Sequence, residues 1–140
     1  MQQPVKSRTE SLRDMYARRA QGDLQPLFDF LADDVDWRSM GEAGAVPWAG
    51  RWQGAKGVVH YFKTVGGTVE VLTYDPLDCM EEGDQVAFFC RLTYRAKGTQ
   101  HVQTVDKVDL FTFRDGKVAR FWEIYHVGPV TAHLLSMQGA

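Results

Sequence analysis

The last third of the chain constrains its fold most. Val105 to Phe113 and Val118 to Val127 are apolar, aromatic-rich stretches joined by Arg114-Asp115-Gly116-Lys117, the composition of two strands linked by a tight antiparallel turn. Asp109 and Glu123 each interrupt one of these apolar, aromatic-rich strands. A lone carboxylate on such a strand is costly to bury unless something uses or satisfies it. Period-two alternation places Val105, Lys107, Asp109, Phe111 and Phe113 on one face of the first strand, and Phe121, Glu123 and Tyr125 on one face of the second. With both faces inward, two carboxylates share an aromatic pocket.

The register leaves alternatives open. A slip of one residue presents Asp106, Val108, Leu110 and Thr112 instead. A three-residue loop with Gly116 in a bulge sets Lys107 across from Glu123, where it can neutralise it, whereas a two-residue Asp115-Gly116 turn shifts the pairs and points Trp122 inward.

Upstream, Ser7-Arg8-Thr9-Glu10 is a capping box that opens a helix whose apolar stripe is Leu12, Met15, Tyr16 and Ala20, with Gly22 as its stop. A second helix is predicted from Asp23 or Leu24 to about Ala32, capped by Asp23, with Pro26 in its first turn and Leu27, Phe28 and Leu31 as its apolar face. Val35 to Ser39 alternates as a short strand with Val35, Trp37 and Ser39 on one side, and Met40 to Gly50 reads as a loop. A third helix spans Gly54 to Val65 on a Val58, Val59 and Phe62 stripe, ended by Gly66-Gly67. Strands follow over Val69 to Tyr74, Val86 to Arg95, His101 to Phe113 and Val118 to Val127, with Glu82-Gly83-Asp84, Lys97-Gly98 and Asp115-Gly116 as turns. Three helices and then hairpin-linked strands predict an α+β fold with helices on one face of an antiparallel sheet.

At 140 residues, 44% hydrophobic and 12% aromatic, the chain fits a single domain, with an ordered core over about 7–127 and a short C-terminal extension. A net charge of −2 with scattered Lys and Arg argues against nucleic acid, and no stretch approaches the roughly 20 apolar residues of a membrane span, so a cytoplasmic protein is expected. Cys79 and Cys90 form no CxxC pair and read as packed thiols. His60, His101 and His126 have no metal-ligand spacing, and no phosphate loop or nucleophile elbow is present, so neither metal nor cofactor is expected.

The run Tyr16, Gly22-Asp23-Leu24, Leu31-Ala32-Asp33-Asp34-Val35, then Gly50-Arg51-Trp52-Gln53-Gly54, then Asp109 through Val118 resembles the SnoaL-like and ketosteroid-isomerase-like branch of the nuclear transport factor two-like superfamily. The resemblance covers about Ser7 to His126 and implies a cone-shaped curved sheet wrapped over three helices, an apolar pocket, and a homodimer through the outer sheet face. The fold hosts many reactions. In ketosteroid isomerase an acid is kept neutral to donate a hydrogen bond, and by the resemblance its position matches Asp109. That enzyme's base position is Ser39 here, and its tyrosine falls at Met15, beside Tyr16. Against limonene epoxide hydrolase, one catalytic aspartate matches Glu123, while Cys90 and Leu92 stand where its Arg and second Asp would be.

The resulting expectation is a cofactor-free enzyme that performs acid–base chemistry of isomerase, dehydratase or cyclase type on a small apolar molecule. Glu123 and Asp109 are its catalytic candidates, with at least one expected to titrate above its ordinary range. Tyr16, Trp37, Ser39, Trp48, Trp52, Lys107, Phe111, Phe121, Tyr125 and His126 are its substrate-binding candidates. The alternatives are a non-catalytic ligand-binding or dimeric assembly module, and an epoxide hydrolase-like activity without the usual Arg-Asp pair. A homodimer is expected through Val108, Leu110, Trp122 and Ile124, which lie opposite the proposed pocket.

Overall fold

The computed structural model describes residues 7–42 and 44–138. Ser7 caps α1 (Arg8–Ala20) by accepting from the Glu10 amide at 3.1 Å, and Leu12, Met15 and Tyr16 are its buried stripe. Helix α2 is Gln25–Phe30, shorter than expected. Its N-cap is Leu24, which makes no side-chain cap, and not Asp23, whose carboxylate accepts from the Gln25 amide one residue before the cap position; at the other end Leu31 already lies in strand β1 (Leu31–Ser39), extended by pairing with a distant strand. Next come β2 (Gly50–Gln53), which the sequence reading assigned to no element, and α3 (Gly54–Thr68). Gly66-Gly67 does not end α3: neither has a positive φ, and the helix passes straight into the following strand at Val69. Its buried residues are Val58 and Tyr61, while Val59 is exposed.

Strands β3 (Val69–Glu82), β4 (Gln85–Ala96), β5 (Val102–Arg114) and β6 (Lys117–Tyr125) form an antiparallel meander. The six strands make one sheet in the order β2-β1-β6-β5-β4-β3. It is mixed rather than wholly antiparallel, because β1 runs parallel to β6. Strand β3 extends past Asp75-Pro76, since it is an edge strand where proline removes no needed ladder bond. The chain does not trail off after residue 127: α4 (Val127–Gln138) buries Val130 and Leu134.

Two irregularities decide which residues face inward. The final hairpin closes with a two-residue turn whose Asp115 and Gly116 both have positive φ, at 52° and 77°. Taken alone, that turn would send Trp122 inward. Phe113 pairs with Val118 but Thr112 pairs with Arg120, so Ala119 is an extra residue that restores the parity. Asp109 therefore faces Glu123, Phe111 faces Phe121, and Lys107 faces Tyr125, a combination neither sequence alternative contained. The second irregularity lies in β3 between Val71 and Thr73, and beyond it Tyr74 is buried while Thr73 is exposed.

Candidate active site

Within the cone, adjacent strands supply Lys107, Asp109 and Glu123, each at most 5% exposed. The Lys107 ammonium contacts the Glu123 Oε1 and lies 3.1 Å from the Asp109 Oδ1. Hydroxyls satisfy the other carboxylate oxygens. Ser39 from β1 and Tyr61 from α3 donate to the Glu123 Oε2 at 2.6 and 2.7 Å. Tyr16 from α1 donates to the Asp109 Oδ2 at 2.7 Å, Tyr74 donates to the same oxygen, and the Cys90 thiol approaches it at 3.8 Å. The cluster is thus one ammonium between two carboxylates, with four hydroxyls around it.

The electrostatics follow from that arrangement. Burial alone would raise the Glu123 carboxyl, but the Lys107 charge and the hydrogen bonds from Lys107, Ser39 and Tyr61 outweigh it and hold it below the usual range. Glu123 is therefore not a raised carboxyl, because the lysine sits within the pair rather than beyond it. Burial would lower Lys107, yet Asp109 and Glu123 raise it above its ordinary value. Burial and the adjacent carboxylates push Tyr16, Tyr61 and Tyr74 well up, so all three stay protonated donors. Burial and Asp109 push the Cys90 thiol up to about 12.

A cavity of about 30 Å³ opens beside this cluster, with an apolar wall that includes Trp48, Leu92, Val105 and Val130. Lys107, Glu123, Tyr61 and Tyr125 bring polar atoms to it. The Tyr125 hydroxyl is buried without a hydrogen-bond partner among the described residues. Trp48 reaches the cavity from the loop after β1, which is pinned by the Met40 amide on the Glu123 carbonyl and by the Trp52 indole on the Trp48 carbonyl. Helix α4 covers the other side, with Val130 in the wall and His133 Nδ1 3.1 Å from the Tyr94 hydroxyl.

The sequence candidates divide accordingly. Glu123, Lys107, Trp48 and Tyr125 line the cavity, while Asp109, Tyr16 and Ser39 belong to the polar cluster behind it. Trp37, Phe111 and Phe121 are buried, but in the aromatic core: Trp37 stacks on Phe121 with ring centroids 3.8 Å apart, because parallel pairing makes them neighbours. Trp52 is half-buried against Tyr61, outside the cavity lining. His126 lies one residue past the inward Tyr125 and lines a groove on the outer sheet face instead. Sequence reasoning missed Tyr61 and Tyr74. Tyr61 lay outside the assigned helix stripe, and the β3 irregularity hid Tyr74 from the alternation. Among the described residues, no three His, Cys, Asp or Glu side chains are grouped to hold a metal ion, and no helix is long and apolar enough to cross a membrane.

A curved sheet wrapped on helices around a central polar cluster is the α+β architecture of nuclear transport factor two-like proteins. The sequence matches the SnoaL-like domain over residues 12–121, and the chain belongs to that family. A nuclear transport factor two-like protein from Burkholderia xenovorans is similar at 25% identity and a TM-score of 0.74, over 90% of this chain and 93% of that one. TerC, co-crystallised with polyporic acid, is 22% identical with a TM-score of 0.75, over 94% and 98% of the two chains. A protein with a ketosteroid isomerase-like fold from Catenulispora acidiphila, in complex with trimethylamine, is 16% identical with a TM-score of 0.73, over 90% and 92%. No curated protein sequence gives a significant match.

Proposed function

We propose that the chain is an enzyme that moves a proton on a small, mostly apolar molecule, in a reaction of isomerase, dehydratase or cyclase type. The observation that carries this reading is the Lys107–Glu123 pair, buried and facing an otherwise apolar cavity. Glu123, held ionised by Lys107, is the proton acceptor. A carboxylate this well solvated by donors is a weak base until one is withdrawn. A substrate carbonyl that takes a hydrogen bond from Lys107 does so, which raises the basicity of Glu123 while the ammonium stabilises the developing oxyanion. Asp109 keeps Lys107 charged and in place throughout. Ligands carrying small-molecule functional groups in structures of this fold, polyporic acid in TerC and trimethylamine in the Catenulispora protein, support a small-molecule site.

The test is Glu123→Gln in a screen of enones, epoxides and hydroxylated polyketide-like compounds. Turnover is expected to fall by roughly two to four orders of magnitude with ligand affinity similar. Unchanged turnover would remove Glu123 from the mechanism. The second reading, a binding module without turnover, is favoured by the fact that both Glu123 oxygens already have donors. Such a module would show altered affinity in the variant and no activity to lose.

We also propose a homodimer through the outer sheet face. Two rows of side chains cross it, Met80-Ala87-Leu110-Trp122 and Phe89-Val108-Ile124, and Met80, Phe89 and Trp122 are 66%, 43% and 39% exposed. Exposed apolar area of that kind is a feature of interaction surfaces.

A further inference from the structure

Arg19 stands in the last turn of α1, half-buried, and the mechanism above does not use it. Its neighbour Arg18 is ion-paired with Asp23 at 2.5 Å. The Arg19 guanidinium makes no hydrogen bond or ion pair among the described residues. It lies instead over two aromatic faces, 4.4 Å from the Tyr74 ring centroid and 5.0 Å from that of Phe62. Burial would lower it, but Tyr74 and Tyr61 and, more weakly, Asp109 and Glu123 outweigh that and raise it above its ordinary value. These electrostatic influences use none of its five N–H donors, so the planar fork is held in place by stacking with its hydrogen-bonding capacity unspent.

The fork borders a cavity of about 310 Å³ between the end of α1, helix α3 and strand β3. Its walls are chiefly apolar, with Leu24, Phe62, Val65 and Leu72 among them, and Gly66 and Thr73 complete the rim. Among the described residues no acidic side chain lines it. An apolar chamber with one preorganised guanidinium selects a particular chemistry: a planar anion that the fork binds bidentately, attached to an apolar body that the walls desolvate. We propose that this cavity binds the carboxylate of a small organic acid, with Arg19 as the anchoring residue.

The chamber also adjoins the Glu123 cavity, because Val65, Val69 and Val71 line both. An acid anchored on Arg19 has its apolar body against that valine partition, and beyond the partition lie Lys107 and Glu123. Resting on the proton-transfer reading, the substrate class is then an apolar carboxylic acid whose charged end is recognised at Arg19 and whose apolar body lies on the side of the partition away from Glu123.

Binding and turnover are tested separately. Hexanoate and its neutral isostere hexanamide are titrated into the protein while backbone amide resonances are followed. Hexanoate is expected to shift Leu24, Phe62, Leu72 and Thr73, and to bind at least tenfold more tightly than hexanamide, with affinity falling as salt is raised. Arg19→Gln should abolish that preference, whereas Arg18→Gln and Glu123→Gln should retain it. Equal binding of acid and amide to the unsubstituted protein, or an Arg19→Gln variant that prefers the acid as strongly, overturns the assignment. So does inorganic phosphate competing as well as hexanoate, since that would mean a site for bare anions. Retained hexanoate binding together with unchanged turnover in Glu123→Gln would leave the Arg19 site standing and remove the proton-transfer reading alone.

Discussion

Replacing Lys107 with Met keeps most of the side-chain volume and removes the charge that two buried carboxylates share. Asp109 and Glu123 would then face each other across paired strands, each at most 5% exposed, with no cation between them. Breaking a buried ion pair by removing one partner costs about 3–5 kcal/mol. A second route to the magnitude is that the variant can escape by protonating one carboxyl. For a glutamate of ordinary pKa near 4.3, protonation at pH 7 costs about 3.7 kcal/mol, at about 1.4 kcal/mol per pH unit. The two routes agree, and the second fixes the pH dependence. In the unsubstituted protein the Glu123 carboxyl is held low, so its stabilisation is present above the unfolded value and is lost as pH falls through the folded one. In Lys107→Met the folded value is raised instead, so stability is complete below about 4.3 and is lost as pH rises. Urea denaturation at pH 5, 6 and 7 should therefore show the gap between the two proteins shrinking by about 1.4 kcal/mol per unit on acidification. A gap under about 1 kcal/mol at pH 7, or one that widens in acid, would refute this account of the cluster.

Other consequences can be checked more simply. Tyr74→Phe removes one of two hydroxyls on the Asp109 Oδ2 and should cost about 1–3 kcal/mol in urea denaturation, with Tyr16→Phe costing more in that background than alone. The raised Cys90 thiol should escape iodoacetamide at pH 8 in native protein while the half-buried Cys79 reacts, so intact-mass analysis should show one adduct until unfolding. Trp122→Arg should lower the sedimentation coefficient at micromolar concentration to a monomer's; a monomer before substitution would dispose of the proposed dimer.

Where local chemistry decides an element, the sequence was readable. Ser7 and Glu10 mark the start of α1, Asp115-Gly116 marks the last hairpin, and alternation along β5 puts Lys107, Asp109 and Phe111 on one face. What could not be read depended on partners far along the chain. Leu31 and Ala32 satisfy helix periodicity but extend when paired beside β6, and Gly50–Gln53 is too short to declare itself without β1 beside it. Period-two reasoning fails wherever one residue is inserted. Glu123 was assigned inward only because the sequence count already continued from Phe121 rather than from Val118, whereas nothing flagged the irregularity that turns Tyr74 toward Asp109. The Arg19 stack was invisible for a related reason, since Phe62 and Tyr74 come together only after α3 and β3 have docked.

The parallel pairing of β1 with β6 has a consequence for how the protein is made. Ser39 and Glu123, joined by a hydrogen bond in the finished site, are 84 residues apart, and strands β3 to β6 belong to a meander that can form from neighbour to neighbour. Closing so long a loop is paid for late, after the hairpins are in place. During synthesis α1, α2 and β1 emerge first and wait, with Trp37 lacking the ring of Phe121 that covers it, until the last strand leaves the ribosome. The nascent chain is therefore most vulnerable to aggregation through its first strand, and Glu123 meets Ser39 and Tyr61 only when β6 takes its place between β1 and β5.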